Sequence, residues 1–275
     1  MSSSRTVRRA MVLAAGLGTR LRPLTTWLPK PLVPVAGVPV VRRTLRHLAA
    51  AGVEEVVLNL HHLGERLRSA LGPACEGVRI HYLEEERILG TGGGVRNALG
   101  WLGDAPFFLV NGDVVIDPDF KGLLALHERS GAAATMLLRA VPDAARWGAV
   151  EIDGDGIVRK LLGEPDGRLT ATMFTGVHVI DPARVGPLLP EEGCIVRSAY
   201  RALVPRGEVA GLLHTGSFHD IGTPRSYLEA NLAVAGASTF VDPTATVAPG
   251  VRLDRVVVWP NARVDADVED AIVTP

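Results

Sequence analysis

Apolar residues in this chain gather in short runs separated by stretches of helical spacing. Ala10 to Ala14, Val56 to Leu60, Val78 to Leu83, Phe107 to Val110 and Ala133 to Leu138 read as strands. Between them, Val40, Val41, Thr44, Leu45 and Leu48 fall on one face of a helix that starts after Pro39 and stops at Gly52. Leu63 to Leu71 and Phe120 to Arg129 have helical spacing too. Thr223 and Pro224 have the character of a cap and first residue for a helix running to about Ala235. Strands alternating with helices predict an α/β fold with a mostly parallel sheet, and ligands of such sheets bind at the carboxyl ends of the strands. After about Ala235 the pattern changes. Val241, Val247, Leu253 and Trp259 recur every six residues, punctuated by Pro243, Pro249 and Pro260. That period predicts a short left-handed β-helix fragment, with residues 1–236 forming the main domain and 237–275 the tail. Val256-Val257-Val258-Trp259 is a candidate cover for a neighbour's coil, so a homo-oligomer through the tail is expected.

Two features sit at predicted strand ends, and therefore on one rim. The first strand runs into Gly16-Leu17-Gly18-Thr19-Arg20-Leu21-Arg22-Pro23-Leu24-Thr25, followed by Pro29-Lys30-Pro31-Leu32. Glycines let backbone N–H groups approach a ligand, and Arg20, Arg22 and Lys30 supply charge suited to a polyphosphate. A dinucleotide-binding turn needs glycine where Leu21 stands, and a P-loop needs a Gly-Lys-Ser/Thr that is missing. Prolines 23, 29, 31 and 34 oppose a continuous helix, so the loop is expected to wrap a phosphate chain as extended backbone. The fourth apolar run ends in Asn111-Gly112-Asp113, which delivers a carboxylate to the same rim.

Composition narrows the function. The chain has 275 residues, is 47% hydrophobic and carries a formal net charge of −1, giving no global field toward nucleic acid or an acidic membrane. No apolar run is long enough for a transmembrane helix, and the first residues lack a signal-peptide core. The 2 cysteines, Cys75 and Cys194, have no metal-like spacing and read as reduced thiols of a cytoplasmic protein. No serine stands in a G-x-S-x-G elbow, which argues against an acyl hydrolase. The histidines show no metal spacing and read as packed or surface residues. Lysine is scarce: Lys30, Lys121 and Lys160 stand in an arginine-rich chain, so Lys30 marks a place that wants a compact ammonium.

The loop from Gly16 to Thr25 with Pro29 to Leu32 resembles the signature of the sugar-1-phosphate nucleotidyltransferases, over both of its parts. The closest style is that of mannose-1-phosphate guanylyltransferases, with muramate- and heptose-type enzymes and non-catalytic regulatory subunits as alternatives. The resemblance implies a Rossmann-like sheet of the GT-A-like nucleotidyltransferase type. It implies transfer of a nucleoside monophosphate from an NTP to a sugar 1-phosphate, with Mg²⁺ as cofactor. It makes Arg20, Lys30, Asp113 and Asp220 catalytic, with Asp113 and Asp220 holding the metal. Asp220 enters through Phe218-His219-Asp220-Ile221-Gly222-Thr223, which is similar to the family's W-x-D-x-G-T. The nucleotide would meet Leu13, Ala14, Ala15, Gly16, Gly18, Thr19, Arg20, Asn111 and Asp113, and on its base side Thr91, Gly92 and Gly93. One of Glu84, Glu85 and Glu86 would face the base, and the sequence leaves open which. Sugar contacts would come from Gly148, Glu164, Thr175 and Gly176. Here the chain departs from the family pattern: the lysine expected between Glu164 and Pro165 is absent, and Lys160 lies four residues earlier.

Overall fold

The structure is a computed structural model that describes residues 7–165 and 167–275. Its centre is a parallel group of strands: β1 (Arg9–Leu13), β2 (Glu55–Leu60), β3 (Val78–Glu84) and β4 (Phe107–Asn111), in the order β4-β1-β2-β3. Side chains of a strand alternate between faces, so a strand buried on both sides is apolar throughout. In β1, Ala10 and Val12 join a core with Leu45 and Leu48 of helix α1 (Val40–Ala50) and Leu67 of α2 (Gly64–Leu71). Met11 points the other way, into a second core with Val95, Ala98 and Leu102 of α3 (Gly90–Leu102). The five residues expected on the inner face of α1 are the five it buries.

The sheet is more mixed than the apolar runs suggest. A short strand, β5 (Val114–Ile116), and helix α4 (Phe120–Ser130) lead to β6 (Ala134–Ala140). Beyond it come β7 (Ala149–Ile152), β8 (Val158–Gly163) and the long β9 (Thr170–Ile180). β9 runs antiparallel to β4, β6 and β7, and β8 is antiparallel to β7. β10 (Val209–Leu213) is parallel to β6. A parallel core thus continues into an antiparallel half through one long strand, whose register shifts between Phe174 and His178.

The last strand of the main body is β11 (Phe218–Asp220), paired antiparallel with β5. Helix α5 (Pro224–Ala235) follows, with the bounds its sequence signals predict. Thr223 and Ser226 cap it reciprocally, Thr223 Oγ1 accepting from the Ser226 N–H and Ser226 Oγ accepting from the Thr223 N–H.

The tail forms stacked coils with parallel pairing: Val241 with Val258, Val247 with Val264, Leu253 with Val268. Val256, Val258, Ala262 and Val264 fill its interior. The six-residue phase fails at both ends, because Val241 is exposed and Trp259 turns toward the main body. Trp259 Nε1 donates to the Tyr227 hydroxyl at 2.8 Å, and its ring meets Trp27 edge-on at 5.6 Å. Val256 to Trp259 is therefore buried within its own chain, against the expectation that it covers a neighbour's coil.

Candidate active site

The carboxyl ends of β1 and β4 lie side by side, Leu13 opposite Asn111. Gly112 donates its N–H to the Leu13 carbonyl at 2.9 Å, and a Cβ there would stand 2.6 Å from that oxygen. Only glycine lets the two strand ends approach this closely. Between them and the start of α3 opens a cavity of about 390 Å³. It is lined by Leu13, Ala14, Ala15, Gly16, Gly18, Thr19, Arg20, Lys30, Thr91, Asn111 and Asp113, all expected there from the sequence. The signature loop is not helical from end to end. Nor is it extended as expected: it makes two single 3₁₀ turns, Thr19–Leu21 and Lys30–Leu32, joined by further hydrogen-bonded turns.

Charge is concentrated on one side. Lys30 Nζ lies 2.7 Å from Asp113 Oδ2, and the lysine side chain is only 8% exposed. A buried ammonium is costly without a partner, so this contact fixes the position of both groups. Asp220 stands opposite Val114, the residue that follows Asp113, in the β11–β5 pair. Gly222, another lining residue, abuts Asp220 and Arg20 together. A Cβ on it would be 2.9 Å from Asp220 Oδ2 and 3.3 Å from Arg20 Nη1. Arg20, Lys30 and Asp113 thus line the cavity, while Asp220 does not line it and stands behind Gly222. Arg22 is exposed and does not line it.

Other expectations need correction. Gly92 and Gly93 sit inside helix α3 and do not line the cavity. Their missing side chains make room for residues 190–195: a Cβ on Gly92 would be 2.8 Å from the Pro190 ring, and one on Gly93 2.4 Å from the Glu191 carbonyl. That strap also receives Gly92 N–H on Gly193 O, and its Ile195 N–H donates to Thr91 Oγ1. Of the three glutamates, Glu85 is the one buried at the cavity wall. Glu84 pairs with Arg68 outside, and Glu86 is exposed.

None of the four expected sugar contacts lines the cavity. Gly176 comes nearest, since a Cβ on it would be 2.7 Å from Asn111 Nδ2. Thr175 is buried and its hydroxyl donates to the Leu137 carbonyl, so it is spent within the sheet. Gly148 lies against Leu162, and Glu164 is exposed after β8. Lys160 Nζ stands 3.8 Å from Glu151, which is buried.

Sequence reasoning missed Asn59 and Ile88 as lining residues, and gave Leu17, Pro31, Gly90 and Gly222 no individual role. Asn59 had a signal, as the single amide in the apolar run Val56 to Leu60. The strap had none, because its contacts join residues far apart in the chain.

Comparison with known proteins gives a consistent picture. The sequence matches the profile of the nucleotidyl transferase family over residues 9–236. It is 31% identical to a mannose-1-phosphate guanylyltransferase of Mycobacterium tuberculosis, across 94% of this chain and 81% of that protein. It is 29% identical to the mannose-1-phosphate guanylyltransferase catalytic subunit beta of Drosophila pseudoobscura pseudoobscura, across 89% of this chain and 72% of that protein. Among solved structures, a UDP-glucose pyrophosphorylase from Acinetobacter baumanii superposes with a TM-score of 0.71 at 23% identity, covering 82% of this chain and 93% of that one. HddC from Yersinia pseudotuberculosis gives 0.68 at 24% identity, covering 83% and 100%. At these identities the structural likenesses speak for the fold.

Proposed function

The chain belongs to the nucleotidyl transferase family, and on that premise we propose that it transfers a nucleoside monophosphate from an NTP to a sugar 1-phosphate, releasing pyrophosphate. GTP and mannose 1-phosphate are the substrate pair we favour, because the similar proteins named above carry that activity in their names. The observation that carries the reading is that Arg20, Lys30 and Asp113 line one glycine-rich cavity, with Asp220 against its lining residue Gly222.

The residues support the following mechanism. Backbone N–H groups of the loop from Ala15 to Thr19 face the triphosphate. Arg20, with its bidentate fork, holds the departing β- and γ-phosphates. Lys30 offers a compact charge to the reacting phosphate. No covalent nucleophile is required, since a phosphate oxygen of the sugar 1-phosphate attacks the α-phosphorus. Holding the two anions in line lowers the barrier by roughly 7–11 kcal/mol, and fixed positive charge stabilises the equatorial oxygens. Asp113 lines the cavity and Asp220 stands opposite Val114, the next residue in the chain, and no group of three or more acidic, histidine or cysteine side chains suited to a metal occurs among the described residues. That donor set fits Mg²⁺, which takes one or two carboxylates and completes its shell with phosphate and water. Bound there, the ion would neutralise repulsion between the two polyanions.

Residues 1–236 are read as the catalytic domain and 237–275 as a left-handed β-helix fragment. Gly148, Glu164 and Gly176 are kept as the sugar side, with Gly176 next to Asn111. The two free thiols, Cys75 and Cys194, support a cytoplasmic enzyme. The strand Val268–Val273 pairs on one side only among the described residues, which supports self-association through the tail's open edge.

A pyrophosphate-release screen of four NTPs against a panel of sugar 1-phosphates, with Mg²⁺, tests the reading. Turnover is expected with GTP and mannose 1-phosphate, and Asp113→Asn is expected to abolish it while the protein stays folded. Nucleotide binding without turnover on any pair would identify a regulatory protein instead.

A further inference from the structure

Asn59 and Glu85 are 3% and 5% exposed, yet both reach the cavity wall. The Ala14 N–H donates to Asn59 Oδ1 at 2.7 Å. That bond orients the amide, so Asn59 Nδ2 donates to Glu85 Oε1 at 2.8 Å. The Leu89 N–H then donates to Glu85 Oε2 at 3.1 Å. The backbone of Glu85 is held as well, its N–H donating to the Leu60 carbonyl and its carbonyl bonded to His61 Nδ1, both at 2.8 Å. A continuous chain of hydrogen bonds therefore runs from the first residue of the phosphate loop, across β2 and the end of β3, to the loop that opens α3. Helix α3 comes close enough that a Cβ on Gly94 would stand 3.1 Å from both Asn59 Nδ2 and Glu85 Oε1.

We propose that Asn59 and Glu85 are positioning residues that set the spacing between the phosphate loop and the base loop of the nucleotide site. The proposal rests on the reading of this cavity as that site. Three points carry it. Both carboxylate oxygens of Glu85 already accept from the protein. The bonds have a single consistent direction, donor to acceptor, from each loop inward. And a buried carboxylate is expensive compared with an apolar pair of the same size, so its presence at a cavity wall calls for a task that packing does not perform. The task is to hold two loops from different strands at a fixed separation, which a directional network does better than a sliding apolar contact.

The polarity of the relay supplies the test. Glu85→Gln places an amide donor against either Asn59 Nδ2 or the Leu89 N–H. Asn59→Asp places one carboxylate against another. The double substitution Asn59→Asp/Glu85→Gln reverses the middle bond and leaves every group partnered: the new carboxylate accepts from the Ala14 N–H and the new amide, whose oxygen accepts from the Leu89 N–H. The Kd of GTP with Mg²⁺, read by calorimetry, is expected to rise at least tenfold in each single variant and return to within threefold of the parent in the double. In turnover, KM for the NTP is expected to follow that pattern, while kcat at saturation stays within threefold. Singles that bind GTP like the parent overturn the relay. A double variant as weak as the worse single also overturns it, and assigns Glu85 to direct contact with the base.

Hydrogen exchange on the parent protein covers the case in which a single variant does not fold. The Ala14 and Leu89 amides are expected to exchange at least a hundredfold more slowly than the exposed loop amides of Gly16 and Leu17, and fast exchange at either overturns the proposal. A parent protein that shows those protected amides but binds no NTP overturns the nucleotide-site reading and, with it, the positioning role.

Discussion

Lys30 is the residue whose identity carries most consequence. Its side chain is 8% exposed and 2.7 Å from Asp113. A compact ammonium fits that space; a planar guanidinium needs room for a fork. Lys30→Ala is expected to cost about 10²–10³ in kcat/KM, the scale for removing one preorganised electrostatic donor. Lys30→Arg is expected to lose nearly as much. Steady-state kinetics with thermal melts as a folding control decide it, and a fully active arginine variant would reduce Lys30 to general positive potential. Away from the site, His178 makes a prediction about acid stability. It is wholly buried, its Nδ1 shares a hydrogen bond with the Tyr200 hydroxyl, and its Nε2 has no partner. Burial pushes its pKa from 6.5 down to about 3. The unfolded chain therefore takes up a proton below about pH 6.5 that the native protein refuses until about pH 3, so this histidine lowers stability as pH falls through that window. His178→Gln is expected to flatten the pH dependence of unfolding free energy there by up to about 1.4 kcal/mol per pH unit. Denaturant melts at pH 4, 5 and 6 measure the slope, and parallel slopes would refute the assignment.

Among the elements, helix α3 shows where sequence reading stopped. β1 to β4, α1 and α4 were legible because each buries its own apolar pattern, and α5 because its cap is written in Thr223 and Pro224, both local properties. The signature loop was legible as well, since glycines and cations at fixed spacing leave few other uses. The glycines of α3 were read as nucleotide contacts, and the structure makes two of them the packing surface for residues 190–195. Nothing in that run of glycines names a strap one hundred residues away in the sequence. β7 to β9 were missed for a related reason: buried Glu151, Thr172, Thr175 and His178 interrupt their apolar pattern, and their surroundings come from residues distant in sequence, such as the Val150 carbonyl for Thr172, the Leu137 carbonyl for Thr175 and the Tyr200 hydroxyl for His178. The strap gives a prediction in which two effects oppose each other. Alanine is the better helix former by roughly 1 kcal/mol. On Gly93, however, its Cβ would stand 2.4 Å from the Glu191 carbonyl, a backbone atom that moves only with the whole strap. Packing is expected to win. Gly93→Ala should lower the melting temperature and raise KM for the NTP, because Thr91 is tied to the same strap through Ile195. Gly100→Ala, in the same helix with open space around it, is the control and should hold or raise the melting temperature.

On the scale of the whole molecule, the question is whether the tail is an appendage or part of the main core. A six-residue period suggests a separate module, yet the side chains say otherwise. Val257 and Trp259 share one apolar cluster with Leu21, Leu24, Val33, Val35 and Tyr227. The Tyr227 hydroxyl receives the Trp259 N–H and donates to the Pro34 carbonyl, so the tail, α5 and the segment after the signature loop meet at one hydrogen-bonded junction. Trp259 is 3% exposed, and truncating a buried tryptophan costs about 3–5 kcal/mol. That is a large part of the total for a typical domain, about 5–15 kcal/mol. Trp259→Ala is therefore expected to destabilise the whole chain in a single cooperative transition. Trp259→Phe, which keeps an aromatic ring but loses the five-membered ring with its N–H, is expected to lose less. Because the cluster includes Leu21 and Leu24, the loss should also reach the phosphate loop and raise KM for the NTP before global melting begins. Denaturant unfolding followed separately by far-ultraviolet circular dichroism and by tryptophan fluorescence tests this. Coincident transitions, both shifted in Trp259→Ala, are the expected result. Two separate transitions, with the main one unmoved, would mean that the tail folds alone and leaves the catalytic body to stand on its own core.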